Sequence, residues 1–368
     1  MGHVVRRSGN WQASLRGPDG RERSKTFARK ADAQAWLTSV EHSKLTGAYV
    51  DPLAGKVTLR AYAEEWRRVQ IHRPGTEVSV EQQLRLHVYP ILGDRPIATV
   101  RTSDVQGLVH RLSASLAPST VAVVYGRVVA VFRAAVRDRI IAASPCIDIK
   151  LPSTRTPSML EVLDVAQVLA VAAAVPARYE ALVIAGAGLG LRPGELFGLA
   201  ADRVDFLRRS VRVDQQIART AGGGVGLAPL KTPASYRTVP LPEVVGEALA
   251  AHMATWPPHP DLGVVFTTGG GGPVQQHPWA EVWGTARRNA ALPEWATPHD
   301  LRHFYASMLI RSGASVKVVQ SRLGHASAKT TLDVYGHLFP DEEDRTRAAV
   351  DAMLRADPAD ISRTSSAP

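Results

Sequence analysis

Pro298-His299-Asp300-Leu301-Arg302-His303, followed by Leu323-Gly324-His325 and then by Tyr335, decides how the rest of the chain is read. The stretch sets two imidazoles and a guanidinium near one place and a phenol on the next helix. Ser315 to Leu323 has helical spacing, with Ser315 as its cap. Gly324 suits the left-handed position that ends such a helix, which would hold His325 at a fixed corner. Ser327 can cap a second helix carrying Tyr335. His299 and His303 share the four-residue spacing of a zinc-binding helix, but that pattern needs Glu right after the first histidine and Asp300 stands there. Arg302 between them cannot ligate a metal and repels one. An anion is the better guest, because Arg and protonated His both donate to phosphate oxygens.

Composition bounds the rest. A chain of 368 residues with 45% hydrophobic residues is globular and long enough for two or three domains. Its net charge of +10 and pI near 10.0 point to a polyanionic partner, although a basic enzyme without one would share them. The single cysteine, Cys146, rules out an internal disulfide framework and makes the reducing cytoplasm the expected compartment. It lies in the apolar stretch 140–149 and reads as a small core residue. No uncharged apolar run of about 18 residues is present, and Ala181 to Leu191 has the length of a buried helix. Arg6 and Arg7 are not followed by an apolar region, so no signal peptide is expected.

Residues 1–30 hold eight Lys or Arg against Asp19 and Glu22. Trp11, Ala13 and Leu15 alternate with Gln12, Ser14 and Arg16, Gly17 to Gly20 reads as a turn, and Arg21 to Phe27 returns. Ala33, Trp36, Leu37 and Val40 form a helical stripe that can cover the apolar side. A small sheet with one basic face is expected, with Arg16, Arg21, Arg23 and Lys25 as candidate DNA contacts. A solvated sheet would carry such residues too.

After a linker at 45–57, helical periodicity runs through 59–70, 77–87, 104–112 and 118–137. Ser103 and Gln106 suggest a capping box for the third of these. The fourth has Val121, Val124, Val128, Val131, Phe132 and Ala135 on one stripe. Arg127 and Arg133 lie off that stripe and are further candidate DNA contacts, or simply solvated. Prolines at 145, 152 and 157 mark a boundary, and Asp164 with Gln167 forms a capping box that opens the last domain. In Gly190-Leu191-Arg192-Pro193-Gly194-Glu195-Leu196, Arg192 precedes a proline suited to a helix's first turn, where free N–H groups favour phosphate. Strands follow around 210–216 and 237–241, with Leu230-Lys231-Thr232 between. A phosphate-binding loop would need Gly directly before that lysine, so ATP binding is rejected.

With Arg192, Lys231, His299, Arg302, His325 and Tyr335 in order, the chain resembles the tyrosine recombinase family of the phage-integrase type. The resemblance covers nearly the whole chain. It implies a multidomain, mainly α protein with small β-sheets. Residues 1–55 would be an arm-type DNA-binding domain with a three-stranded sheet and a helix. Residues 56–152 would be a helical core-binding domain, and 153–368 an α+β catalytic domain. It implies cutting and rejoining of double-stranded DNA at attachment sites without a cofactor, by a homotetramer. An excisionase and a host DNA-bending protein would set direction. A helix opened by Asp341, Glu342 and Glu343, with Val350, Met353 and Leu354 apolar, would dock on a neighbouring protomer, and residues 357–368 would be disordered.

The roles implied are those that the chemistry needs. A phenol with a pKa near 10 is a poor nucleophile at pH 7 and requires a base and a charged neighbourhood. Tyr335 would attack the phosphodiester and form a 3′-phosphotyrosyl link. Arg192, Arg302 and His325 would hold the non-bridging oxygens, Lys231 would protonate the leaving 5′ oxygen, and His299 would accept the tyrosine proton. His303 reads as a packed residue, and Glu195 as a group that orients Arg192 or Arg302. A chromosome-dimer resolvase, a type IB topoisomerase-like enzyme and a catalytically silent DNA-binding protein are the alternative readings.

Overall fold

The computed structural model describes residues 2–16, 20, 22–45, 50–51, 54–153, 161–220, 223–339, 347, 350–351 and 354. The chain divides into two compact units, Met1–Thr156 and Pro157–Pro368. The first two expected segments both fall within the first unit.

That unit begins with an antiparallel sheet in the order β1 (His3–Arg7), β2 (Asn10–Arg16), β3 (Glu22–Phe27). Helix α1 (Lys30–Leu45) buries Ala33 and sets Trp36 against Phe27, with ring centroids 5.8 Å apart. The expected single basic face is corrected by the register. Directly opposed residues share a side of a sheet. Arg6, Arg23 and Lys25 therefore lie on the side of Trp11, Ala13, Leu15 and Phe27, while Arg16 lies on the other. The charged ends of two of these cations lie over aromatic rings, Arg6 over Trp11 and Lys25 over Phe27. Arg23 is only 13% exposed because it pairs with Asp51, so it ties down the chain after α1 instead of facing outward. Arg21 and the turn at 17–19 lie outside the described residues.

Helices α2 (Leu59–Arg68), α3 (Pro74–Gln83), α4 (Thr102–Ser113) and α5 (Pro118–Arg137) follow. Helix α3 starts three residues earlier than the periodicity suggests, at a proline in its first turn, and runs on as a π-helical stretch, Leu84–Gly93. The capping box expected at Ser103 is not formed. The helix begins at Thr102, the Arg101 N–H donates to Asp104 Oδ2, and the Gln106 amide instead bonds the backbone of Lys150. Helix α5 is the one described helix long and apolar enough, by length and composition, to cross a membrane. Its apolar stripe is spent on the core of this unit, where Val121, Val124, Val128, Val131 and Phe132 are buried. Arg127 donates to Gln83 Oε1, and Arg133 is exposed. Cys146 is half-buried and burial pushes its thiol up, as suits a packing residue.

The second unit is built around α7 (Glu180–Leu189), apolar on nearly all sides and packed against α6 (Val165–Ala174), α9 (Glu243–Thr255) and α11 (Asp300–Arg311). The Asp164–Gln167 capping box that opens α6 is formed in both directions, at 2.7 and 2.9 Å. Strands β4 (Val204–Asp205), β5 (Ser210–Val213) and β8 (Arg237–Pro240) make one antiparallel sheet. A separate hairpin, β6 (Gln215–Arg219) and β7 (Val225–Pro229), leads to Lys231. Short helix α8 (Pro193–Phe197) follows α7, and α10 (Gln276–Asn289) buries Trp279 and Trp283. Helices α12 (Val316–Leu323) and α13 (Ala328–Tyr335) complete the described fold up to Phe339. Residues 341–343 and Met353 lie outside the described residues, and Val350 and Leu354 are exposed.

Phe132 has no exposed surface. Phe132→Ala is expected to destabilise the first unit by about 3–5 kcal/mol through the transfer and cavity costs together. Urea unfolding of the full chain measures this as an earlier transition.

Candidate active site

Two left-handed glycines bring the site together. Gly190 (φ 62°) ends α7, and a Cβ there would lie 2.2 Å from the Tyr305 ring. The chain then turns through Arg192, held extended by the proline that follows it, into α8. Gly324 (φ 64°) ends α12, where a Cβ would lie 2.9 Å from the Ala234 carbonyl oxygen. The caps act as the spacing suggested, with Ser315 accepting from Val318 N–H and Ser327 from Thr330 N–H.

Both arginines are held by these helix ends. Arg302 Nη1 donates to the Gly190 carbonyl at 2.7 Å and Nη2 to that of Leu323 at 2.5 Å. Arg192 Nη2 donates to the Gly324 carbonyl at 3.0 Å. Carbonyls at helix C-termini carry partial negative charge and suit guanidinium donors. Arg302 is 2% exposed and, among the described residues, forms no ion pair. Burial first, then Arg192, brings its pKa down to about 9, so it stays charged at pH 7 at a high desolvation cost.

One buried carboxylate, Glu195, orders the neighbouring guanidiniums. Its oxygens accept from Arg192 N–H at 3.0 Å, Arg192 Nη1 at 2.8 Å and Arg237 Nη2 at 2.9 Å. Burial alone would lift the Glu195 carboxyl, but the bonds to Arg237 and Arg192 hold it below the usual carboxylate range. Sequence reasoning missed Arg237, whose other nitrogens bond the Arg322 and Ser235 carbonyls. A signal was present, since Arg237 and Val239 share one side of β8 and Val239 is a core residue. Lys231 is exposed beyond β7. Its neighbour Thr232 bonds Ser235 Oγ at 2.9 Å, and that hydroxyl meets Arg192 Nη1 at 3.4 Å.

Tyr335 is 1% exposed, and burial pushes its pKa up to about 12 against the lowering pull of Arg302. Its hydroxyl lies 2.7 Å from His303 Nδ1, although the sequence suggested only a packing role for that histidine. His299 meets His303 edge-on, with centroids 4.9 Å apart, and among the described residues has no hydrogen bond to Tyr335. His325 stacks on the Tyr335 ring at 6.4 Å and 12°, while its Nδ1 bonds Thr331 Oγ1 at 2.9 Å. Burial, then nearby positive groups, brings both His299 and His325 down to about 4. Both are neutral at pH 7 and keep one N–H to donate. Among the described residues no three His, Cys, Asp or Glu are grouped to hold a metal ion.

One buried guanidinium, Arg302, with no ion pair among the described residues, thus stands near the buried phenol of Tyr335. The Phage integrase family model matches residues 159–342, with its N-terminal domain at 2–47 and its central domain at 59–151. The chain belongs to the phage integrase family. It is a tyrosine recombinase, an enzyme that cuts and rejoins DNA strands. It is 27% identical to the putative prophage phiRv2 integrase of Mycobacterium tuberculosis H37Rv, over 88% of each chain. It is also 27% identical to the integrase of Mycobacterium phage D29, over 89% of this chain and 90% of that one. The Tn1549 transposon integrase in complex with a circular intermediate DNA has a similar fold (TM-score 0.68, 23% identity, 80% of this chain and 99% of that one). So does a lambda integrase tetramer bound to a Holliday junction (TM-score 0.59, 15% identity, 88% and 96%).

Two outcomes follow for the integrase. Gly324→Ala forces a strained backbone and pushes Ala234 away, and should lower single-turnover DNA cleavage by about 10²-fold through misplacement of the arginines. Between the ordinary histidine value of 6.5 and the folded value of about 4, the unfolded chain binds more protons at His299 and His325 than the folded one. Stability is therefore full above that window and lost as pH falls through it. Thermal midpoints of the full chain from neutral to acid pH should drop less steeply in the His299→Asn, His325→Asn double variant.

Proposed function

We propose that this integrase joins a phage or other mobile element to a chromosome and excises it again, using Tyr335 as the nucleophile. The observation that carries the residue assignment is the buried Arg302 guanidinium near Tyr335, which among the described residues bonds carbonyls and forms no ion pair. A scissile phosphate supplies an anion. Arg302 and Arg192 then donate to its non-bridging oxygens, and His325 adds a neutral donor. These groups are fixed before DNA arrives, so they stabilise the charge that grows on the phosphate with little rearrangement.

Tyr335 attacks the phosphorus, and the bond to the 5′ oxygen breaks, leaving a 3′-phosphotyrosyl link. Lys231, on the loop tied to Arg192 through Thr232 and Ser235, protonates the departing oxygen. The phenol proton passes to the imidazole pair His299 and His303. A 5′-hydroxyl from a second duplex reverses the step, and because one phosphodiester replaces another no cofactor is needed.

Residues 1–55 are proposed to bind arm-type DNA sites through Arg16, Arg21 and Lys25. Residues 56–152 are proposed to grip the core site through Arg133 and Arg127, and residues 153–368 to carry the chemistry. Four copies around two duplexes is the proposed assembly, with an excisionase and a host DNA-bending protein setting direction. The N-terminal domain match at 2–47 favours this reading over a resolvase without such a domain.

A nicked duplex carrying the attachment site traps the covalent intermediate. Tyr335→Phe should give no adduct, and Arg302→Lys, which loses the planar fork, should cleave about 10²–10³-fold more slowly. Chelator should leave the unchanged chain fully active. An adduct in Tyr335→Phe, or activity that returns only with added magnesium, would overturn the assignment.

A further inference from the structure

The hydroxyl of Tyr335 has one hydrogen-bond partner among the described residues, His303 Nδ1 at 2.7 Å. We propose that His303, not His299, is the catalytic base that takes the phenol proton in the cleavage step and returns it in the reverse step. This deepens the assignment of Tyr335 as nucleophile and rests on it.

Among the described residues no other acceptor is so placed. His299 is one ring further away, meeting His303 edge-on at 83° with centroids 4.9 Å apart. His325 presents a ring face to the phenol, with its planes 12° apart, and its Nδ1 is engaged by Thr331. A ring face has no lone pair to receive the proton. His303, in contrast, aims an in-plane nitrogen at the oxygen, its ring inclined 60° to that of Tyr335. The transfer requires the phenol O–H to donate, with Nδ1 as the bare nitrogen and the hydrogen on Nε2. His303 also follows Arg302 directly on α11, so one rigid helix sets both the base and the phosphate clamp.

The groups facing His303 tune it for this task. Its own helix brings His299, Asp300 and Arg302, α13 brings Tyr335, and the corner after α12 brings His325. His337, just past the nucleophile, is exposed. Burial lowers the pKa of His303, Asp300 opposes that shift, and Arg302 adds to it. The resting imidazole is therefore neutral and able to accept. Asp300, fixed by 2.7 Å bonds from Thr297 N–H and Oγ1, can offset the imidazolium once it forms.

Atoms balance as follows. Oη of Tyr335 bonds to phosphorus while the bond from phosphorus to the 5′ oxygen breaks. The phenol proton goes to His303 Nδ1, and a proton from Lys231 goes to the 5′ oxygen. In the reverse step the incoming 5′-hydroxyl gives its proton to Lys231, and His303 gives its proton to the departing phenolate.

The test is single-turnover cleavage of the nicked attachment duplex by the full chain across the neutral and acid pH range. His303→Asn keeps an oxygen near the Nδ1 position but cannot hold the proton. It should cleave about 10²-fold more slowly or worse, with noncovalent DNA binding unchanged and the imidazole inflection of the pH profile gone. His299→Asn should keep that inflection. A bridging sulfur in place of the 5′ oxygen, which leaves without a proton, should restore Lys231→Ala and not His303→Asn. Cleavage by His303→Asn within about threefold of the unchanged chain and with the same profile would overturn the proposal. So would an inflection lost only in His299→Asn. A second measurement needs no change at position 303. Imidazole ¹⁵N shifts of the unchanged chain should show His303 Nδ1 as a bare acceptor that loses its hydrogen bond in Tyr335→Phe, and a protonated Nδ1 would contradict the proposal. An adduct persisting in Tyr335→Phe would instead sink the nucleophile assignment itself.

Discussion

Arg302 donates from both terminal nitrogens to carbonyls at the ends of two helices, Gly190 after α7 and Leu323 at the close of α12. Burying a guanidinium without a carboxylate is costly, and breaking its remaining bonds would cost more. The two helix ends must therefore stop where they do, which is why each stops at a left-handed glycine. The core supports this placement. Leu301 packs toward Gly186 of α7, so the helix bearing Arg302 is pressed against the helix whose end it bonds. The fold thus holds a positive charge at one point with no ion pair among the described residues.

Glu195 extends the arrangement outward. It is buried because Arg192 and Arg237 satisfy it, and those arginines in turn reach the Gly324, Arg322 and Ser235 carbonyls. The loop after Lys231, the corner at His325 and the start of α8 are therefore linked by hydrogen bonds across large sequence separations. A change at any of them is felt at the others, so substitution effects within this group are expected to be non-additive.

Much of this was legible in the residues. Gly324, Ser315, Ser327 and the Asp164–Gln167 box act locally, and local rules find them. The order of Arg192, Lys231, His299, Arg302, His325 and Tyr335 carried the family. Other features depend on contacts between distant segments. The Arg23–Asp51 pair, the side of the sheet that Lys25 shares with Trp11, and the Gln106–Lys150 bonds come from register and packing that no single segment encodes. The His303–Tyr335 bond spans two helices, and nothing in the spacing of His299 and His303 says which imidazole faces the phenol. Arg237 was findable from strand alternation alone.

The most direct measurement is a structure of the chain on a nicked attachment duplex with vanadate standing in for the scissile phosphate. The account predicts vanadium bonded to Tyr335 Oη, with Arg302 and Arg192 nitrogens within hydrogen-bond distance of its equatorial oxygens. Vanadate bound out of reach of Arg302, or joined to a residue other than Tyr335, would contradict it.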